Sequence, residues 1–246
     1  MLIDKIINFE NNFAEVQSKV IEKPYGRIFY DANNPLSYDS NHAIINEDSD
    51  YDFASKDIVN IYQSIAITPR VYTFTRNKST VGQYLESKGF KKSLDEICFF
   101  VQKNKKRIGI PQTLLYIKRL THIDETLNEL LSSDKDQGEW GYKSLLKSIA
   151  NENFYLLGGY TDDELVCIAS LYNKNDISRI NDVFTKKDKR GTGYGSQLIN
   201  FITDFNDKTL NTISYLIAHN PSAIKVYKKA GYEEIKAIVR GCYWLE

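Results

Sequence analysis

Apolar and polar positions in the second half of the chain switch between two periods, and the switches lay out its elements. Residues 154–160, 165–172 and 177–185 read as three successive strands, with Thr161-Asp162-Asp163 and Asn173-Lys174-Asn175-Asp176 as the turns between them. Residues 114–120 precede them as a strand, then 123–131 and 141–150 as helices. Downstream, Leu198, Phe201, Ile202 and Phe205 recur at helical spacing. A strand over 212–218, a helix over 222–230 and a closing strand over 235–245 complete the series. The resulting β-α-α-β-β-β-α-β-α-β order predicts an α/β (α+β) fold.

The first half repeats part of this order. Ile6, Phe9, Phe13, Val16 and Val20 step by three and four residues, which predicts a packed amphipathic helix over 1–20. A strand over 41–46 leads to a helix carrying Ile58, Ile61, Tyr62 and Ile65, then a strand over 71–74, a helix over 80–87 and a strand over 96–101. A shift of 140 residues lays that first helical face on Leu198, Phe201, Ile202 and Phe205, and a shift of 142 lays 84–90 on 226–232. Two related halves are expected, a smaller degenerate domain over 1–108 and an intact one over 109–246.

Chemistry concentrates in the second half. Arg190-Gly191-Thr192-Gly193-Tyr194-Gly195-Ser196 joins the strand 177–185 to a helix. Glycines let backbone approach an anion closely, and a helix start offers unpaired N–H groups and a positive dipole end. Phosphate oxygens suit such a turn. The loop lacks the G-x-G-x-x-G spacing of a dinucleotide fold and the G-K-[ST] ending of a P-loop. One strand later, Asn220 stands before Pro221 as a natural helix cap. Ala223, Val226, Tyr227 and Ala230 share the apolar face of that helix, and Gly231-Tyr232 comes next. A phenol there either packs in the core or presents a proton.

The loop and the Asn220, Ala223, Tyr227, Gly231-Tyr232 series, in this order, resemble the GCN5-related N-acetyltransferase (GNAT) superfamily over about 112–246. Arg190, Gly193 and Gly195 fill the family's R/Q-x-x-G-x-G/A pattern. The resemblance implies the acyl-CoA N-acyltransferase fold and acetyl-CoA as co-substrate. It implies that Val183, Phe184 and Thr185 splay from the neighbouring strand to bind the pantetheine arm. Arg190 through Ser196, with Gly191, Thr192, Gly193, Tyr194 and Gly195, would cradle the phosphates, and Asn220 and Ala223 would hold the cofactor arm. Tyr227 would protonate the departing thiolate. The activity implied is direct acetyl transfer to a primary amine of a small molecule or peptide. A non-catalytic acyl-CoA sensor, or an aminoacyl transferase using charged tRNA, are the alternatives. The base that frees the amine has no spacing signal; Asn181, Asp182, Glu139 and Glu152 lie in suitable stretches.

The chain has 246 residues and zero formal net charge, so no broad field points to nucleic acid or an anionic membrane. The basic run 103–107 reads as a solvated linker, whereas 186–190 abuts the glycine turn. Cys98, Cys167 and Cys242 are distant from one another and sit in apolar runs, which suggests free thiols in a reducing cytoplasm. His42, His122 and His219 show no metal-ligand spacing, so no metal is expected. No leader-like or membrane-spanning run stands out, and either a monomer or a homodimer would fit. In the first half, Asp50, Tyr51, Phe53 and Ser55 stand where the 140-residue shift sets Arg190, Gly191, Gly193 and Gly195. An anion in place of a cation, and bulk in place of glycine, predict no CoA site there.

Overall fold

The structure, a computed structural model, describes residues 1–76, 78–103, 115–132, 138–235 and 238–246. In chain order its first elements are α1 (Leu2–Glu10), β1 (Lys19–Lys23), β2 (Gly26–Tyr30), β3 (His42–Ile45), α2 (Tyr51–Ser64), β4 (Arg70–Thr75), α3 (Thr80–Ser87) and β5 (Lys91–Ile97). Next come β6 (Phe99–Gln102), β7 (Tyr116–Leu120), α4 (Glu125–Ser132), α5 (Gly138–Ser148), β8 (Phe154–Thr161), β9 (Glu164–Lys174) and β10 (Ile177–Thr185). The remainder are α6 (Tyr194–Phe205), β11 (Ile213–Ile217), α7 (Pro221–Lys229), β12 (Tyr232–Glu234) and β13 (Ile238–Trp244).

These elements fall into two compact units, Met1–Ile97 with Ala237–Glu246, and Cys98–Lys236. The first holds a mixed sheet ordered β1-β2-β3-β4-β13-β5. Ile58 and Tyr62 of α2 and Leu85 of α3 pack with Ile28, Ala43 and Val71 of the sheet in one fully buried cluster. Such burial contributes about 1.5–3 kcal/mol for each large apolar side chain. The Tyr62 hydroxyl, buried with them, donates to the Phe29 carbonyl at 2.8 Å, so its polar end is satisfied.

The second unit holds a sheet ordered β12-β6-β11-β10-β9-β8-β7. Helix α6 sets Leu198, Ile199 and Ile202 against Val166, Ala169 and Leu171 of β9. The expected apolar face is rotated: Phe201 is 42% exposed, and Ile199 takes a buried position instead. The buried stripe continues through polar groups that bond locally. Thr203 Oγ1 donates to the Ile199 carbonyl at 2.6 Å, and the Asn206 amide donates to the Thr212 carbonyl at 2.9 Å.

Three further expectations are corrected. The N-terminal helix stops at Glu10, and Val20 lies in β1, which forms a hairpin with β2 through Lys23↔Gly26. The run 96–101 is two strands: β5 joins the first sheet, and β6 sits between β11 and β12 in the second. The run 235–245 is not the last strand of the second sheet, because β13 lies between β4 and β5, with Cys242 opposite both Tyr72 and Ser93. The expected boundary between 108 and 109 lies outside the described residues. The units nevertheless differ from a simple division into halves, since each sheet takes a strand from the other side of that boundary. The low exposure of Phe99, Phe100 and Val101 against the high exposure of 91–96 explains the first exchange: β5 is a charged sheet edge, β6 an interior strand.

Candidate functional site

The site begins where two parallel strands part. β10 pairs with β11 only from Ile177 to Ile180, but stays paired with β9 as far as Thr185. Between Asn181 and Phe184 the β9–β10 register shifts, so Asp182 and Val183 together oppose Ala169. This is a β-bulge, which bends the strand and re-aims the residues beyond it. Asp182 takes the left-handed conformation within it, with φ of 48°. Its carboxylate accepts from Ser170 Oγ at 2.6 Å and from the Asn181 amide at 3.2 Å. Burial pushes the Asp182 carboxyl above its usual range, against the opposing pull of those two bonds and the Arg179 charge.

A cavity of about 630 Å³ opens beside the parted strands. Val183, Phe184 and Thr185 form one wall; Arg190, Gly191, Gly193, Tyr194, Gly195 and Ser196 form another; Asn220, Ala223 and Tyr227 close it from α7. Thr192 is the one expected binding residue outside the lining; its hydroxyl donates to the Lys189 carbonyl at 2.6 Å and braces the turn. Lys189, Ile199, Ser222, Val226 and Lys229 line the cavity as well. Helical periodicity could have found Val226, a neighbour of Tyr227 on the expected face, and Ile199, one turn beyond Gly195. Nothing in the sequence marks Lys229.

The chemistry of the turn comes from its backbone. Gly193 caps α6 in the left-handed region with φ of 94°, and has no side chain to satisfy the helix's first N–H groups. A Cβ at Gly193 would meet no atom within 4 Å, so conformation rather than crowding demands glycine there. By contrast, α7 is capped by Asn220, whose Oδ1 accepts from the Ser222 and Ala223 N–H groups at 2.9 and 3.4 Å. α2 is capped by Asp50, whose carboxylate accepts from Asp52 and Phe53 at 3.0 and 3.1 Å. Matched cap to cap, the starts of α2 and α6 lie 193 − 50 = 143 residues apart, not 140. Of these two starts, the one without a capping side chain is in the second unit.

Positive charge around the turn is partly occupied. Lys186 and Lys189 sit 2.5 and 2.9 Å from the Glu164 carboxylate, and these two lysines, Lys186 first, hold that carboxyl below its usual range. Arg190 gives its Nε to the Thr185 carbonyl at 3.0 Å. That oxygen is therefore already engaged, which narrows the free backbone expected of Val183 to Thr185.

Tyr227 is only 6% exposed and lies edge-on to Tyr232, with ring centroids 6.5 Å apart. Burial pushes its phenol up to about 12, so it keeps its proton throughout the neutral range. Of the stretches suggested for a base, Glu139 pairs with Lys143 at 2.8 Å on α5, and Glu152 is exposed. The free thiols include Cys167, whose burial pushes it up to about 12, far from a reactive thiolate.

Residues 132–241 match the family described as "Acetyltransferase (GNAT) domain". An uncharacterized N-acetyltransferase of Methanocaldococcus jannaschii is 36% identical over 74 residues, a stretch that spans 29% of this chain and 31% of that protein. The fold is similar to that of a GCN5-related N-acetyltransferase from Kribbella flavida, with a TM-score of 0.71 at 11% identity over 98% of this chain and 95% of that one. A functionally unknown conserved protein from Staphylococcus epidermidis is similar too, with a TM-score of 0.64 at 13% identity over 92% and 94%. At such identities the likeness shows the fold. The parted strands, the uncapped glycine turn and the matched segment agree: residues 132–241 are similar to a GNAT acetyltransferase domain, in a chain with the acyl-CoA N-acyltransferase fold.

Proposed function

We propose that the second unit moves an acetyl group from acetyl-CoA to a primary amine by direct transfer. The observation that carries this reading is the convergence on one cavity of the parted strand, the uncapped helix start and Tyr227. The residues present fit the co-substrate. An anion needs donors without competing carboxylates, and the start of α6 has no capping side chain. A pantetheine chain needs extended backbone with unpaired hydrogen-bonding groups, which β10 has beyond its last pair with β11 at Ile180.

Acetyl-CoA supplies an acyl group already activated as a thioester. The chain's own residues do the rest. In the stretch Val183 to Thr185, a backbone N–H turned away from β9 would face the carbonyl oxygen and stabilise the charge that develops on it. The neutral amine forms the N–C bond, the C–S bond breaks, and the amine's surplus proton leaves to water. Tyr227 faces the departing sulfur. Because its phenol titrates near 12, well above the roughly 8.5 of an ordinary thiol, it acts by donating a hydrogen bond to the thiolate as charge appears. The acceptor amine belongs to a small molecule or a peptide, and free thiols suit a reducing cytoplasm.

The test is calorimetric titration with acetyl-CoA, then thiol release against a panel of amines. Binding with turnover on at least one amine is expected. Absence of acetyl-CoA binding would defeat the reading, and binding without turnover on any amine would leave an acyl-CoA sensor in its place.

A further inference from the structure

We propose that Asp182 and Ser170 form a latch that holds the β10 bulge and thereby sets the slot into which the acyl arm fits. Under the transferase reading, on which this rests, both residues have a positioning role, since neither lines the cavity.

Asp182 holds a left-handed φ of 48° in the middle of a strand. Aspartate tolerates that region better than most residues, but a strand keeps it there only when neighbouring contacts fix it. Those contacts are present. Ser170 of β9 is fully buried and lies opposite Asn181, the last residue in register before the bulge. Its hydroxyl donates to Asp182 Oδ2 at 2.6 Å, a short bond between a hydroxyl and a carboxylate. Asn181 donates to the other oxygen at 3.2 Å. Both carboxylate oxygens are thus tied at the point where one extra residue enters the strand.

Immediately beyond the bulge, β10 becomes the cavity wall. The parallel ladder with β11 ends at Ile180, the extra residue falls at Asp182 and Val183, and Phe184 resumes pairing with Ile168. Without the extra residue the β9 ladder would continue in register, and Val183 would present its other face to the cavity. Asp182 is half-buried, and the two bonds keep its carboxylate satisfied.

The experiment uses the full chain and four variants: Ser170→Ala, Ser170→Thr, Asp182→Gly and the Ser170→Ala/Asp182→Gly pair. Glycine accepts the left-handed backbone, so Asp182→Gly removes the latch without adding strain. Acetyl-CoA affinity is measured by calorimetry, and KM and kcat with a working amine. Ser170→Ala and Asp182→Gly should each weaken acetyl-CoA binding about tenfold, raising KM more than they lower kcat. The double variant should be no worse than the poorer single one, because both remove one interaction. Ser170→Thr, which keeps the hydroxyl, should bind like the wild type. Unchanged affinity in the folded single variants would overturn the latch. So would a loss confined to kcat in Asp182→Gly with Ser170→Ala silent, which would make Asp182 a proton acceptor instead. If Asp182→Gly does not fold, Ser170→Ala against Ser170→Thr carries the same comparison. Wild-type protein that binds no acetyl-CoA would sink the transferase reading first, whereas wild-type binding with indifferent variants sinks the latch alone.

Discussion

Arg190 Nε donates to the Thr185 carbonyl at 3.0 Å, joining the entry of the glycine turn to the last residue of β10. The guanidinium also lies 5.6 Å over the Phe184 ring. One side chain thus links two walls of the cavity and leaves its terminal nitrogens for an anion. Lysine keeps the charge but cannot reproduce the planar fork. Arg190→Lys should weaken acetyl-CoA binding by about threefold to tenfold with little change in melting temperature, as read by calorimetry and thermal unfolding.

Gly193 holds a φ of 94° at the start of α6. Gly193→Val places a β-branched residue in a region it rarely adopts, so the turn must rebuild and its N–H groups lose their common aim. Acetyl-CoA affinity should fall at least tenfold, about 1.4 kcal/mol, while the circular dichroism of the folded chain is retained.

Tyr227→Phe keeps the packing volume and removes only the hydroxyl. Turnover should fall by about 10²-fold with acetyl-CoA affinity nearly unchanged. A phenol that merely packs would give the reverse, a lower melting temperature with activity intact. Since burial places its titration near 12, activity should show no loss from Tyr227 ionisation between pH 7 and 9.

Glu164 holds Lys186 and Lys189, and Lys189 lines the cavity. Glu164→Gln frees both cations for phosphate and should tighten acetyl-CoA binding by about threefold at low salt, fading at high salt. Acid acts on the wild type in the same direction as the substitution. The lysines depress the folded Glu164 carboxyl, so their pairing is complete above the ordinary carboxylate range and is lost as pH falls through the depressed value. The variant's advantage over the wild type should therefore shrink in acid.

The start of α2 already spends its N–H groups on the Asp50 carboxylate. Leu85, which the 142-residue shift sets against Tyr227, is fully buried in the first unit. One acetyl-CoA per chain is expected. Asp50→Ala should cost about 1 kcal/mol of stability through the lost cap, without creating a second site. Calorimetric stoichiometry decides this: a value of two overturns it.

The residues that line the cavity were legible because their settings are local. A glycine forced into the left-handed region, a cap before Pro221 and a tyrosine on an apolar stripe each depend on a few neighbouring residues. The cavity brings together Tyr227 and every expected cofactor-binding residue except Thr192, but none of the four residues suggested for a base. Less legible was the Phe201 position: Phe201 is exposed while Thr203, whose hydroxyl donates to the Ile199 carbonyl, is buried, and an apolar pattern does not mark a polar residue as buried.

By itself the sequence determined the order of the elements from 116 to 229, the glycine turn and the caps, since periodicity and backbone preference act within a few residues. Only the tertiary structure decided which sheet each strand joins. Residues 96–101 look like one apolar run, yet Ile97 pairs with Ile238 and Phe99 with Ile217. A strand's own residues specify that it will be extended and which faces alternate. Its partner is chosen by distant strands offering a matching ladder and a surface to bury, a choice no local window contains. The bulge at Asp182 is of the same kind. Its φ of 48° goes with a bond from Ser170, twelve residues earlier and on another strand, to its carboxylate.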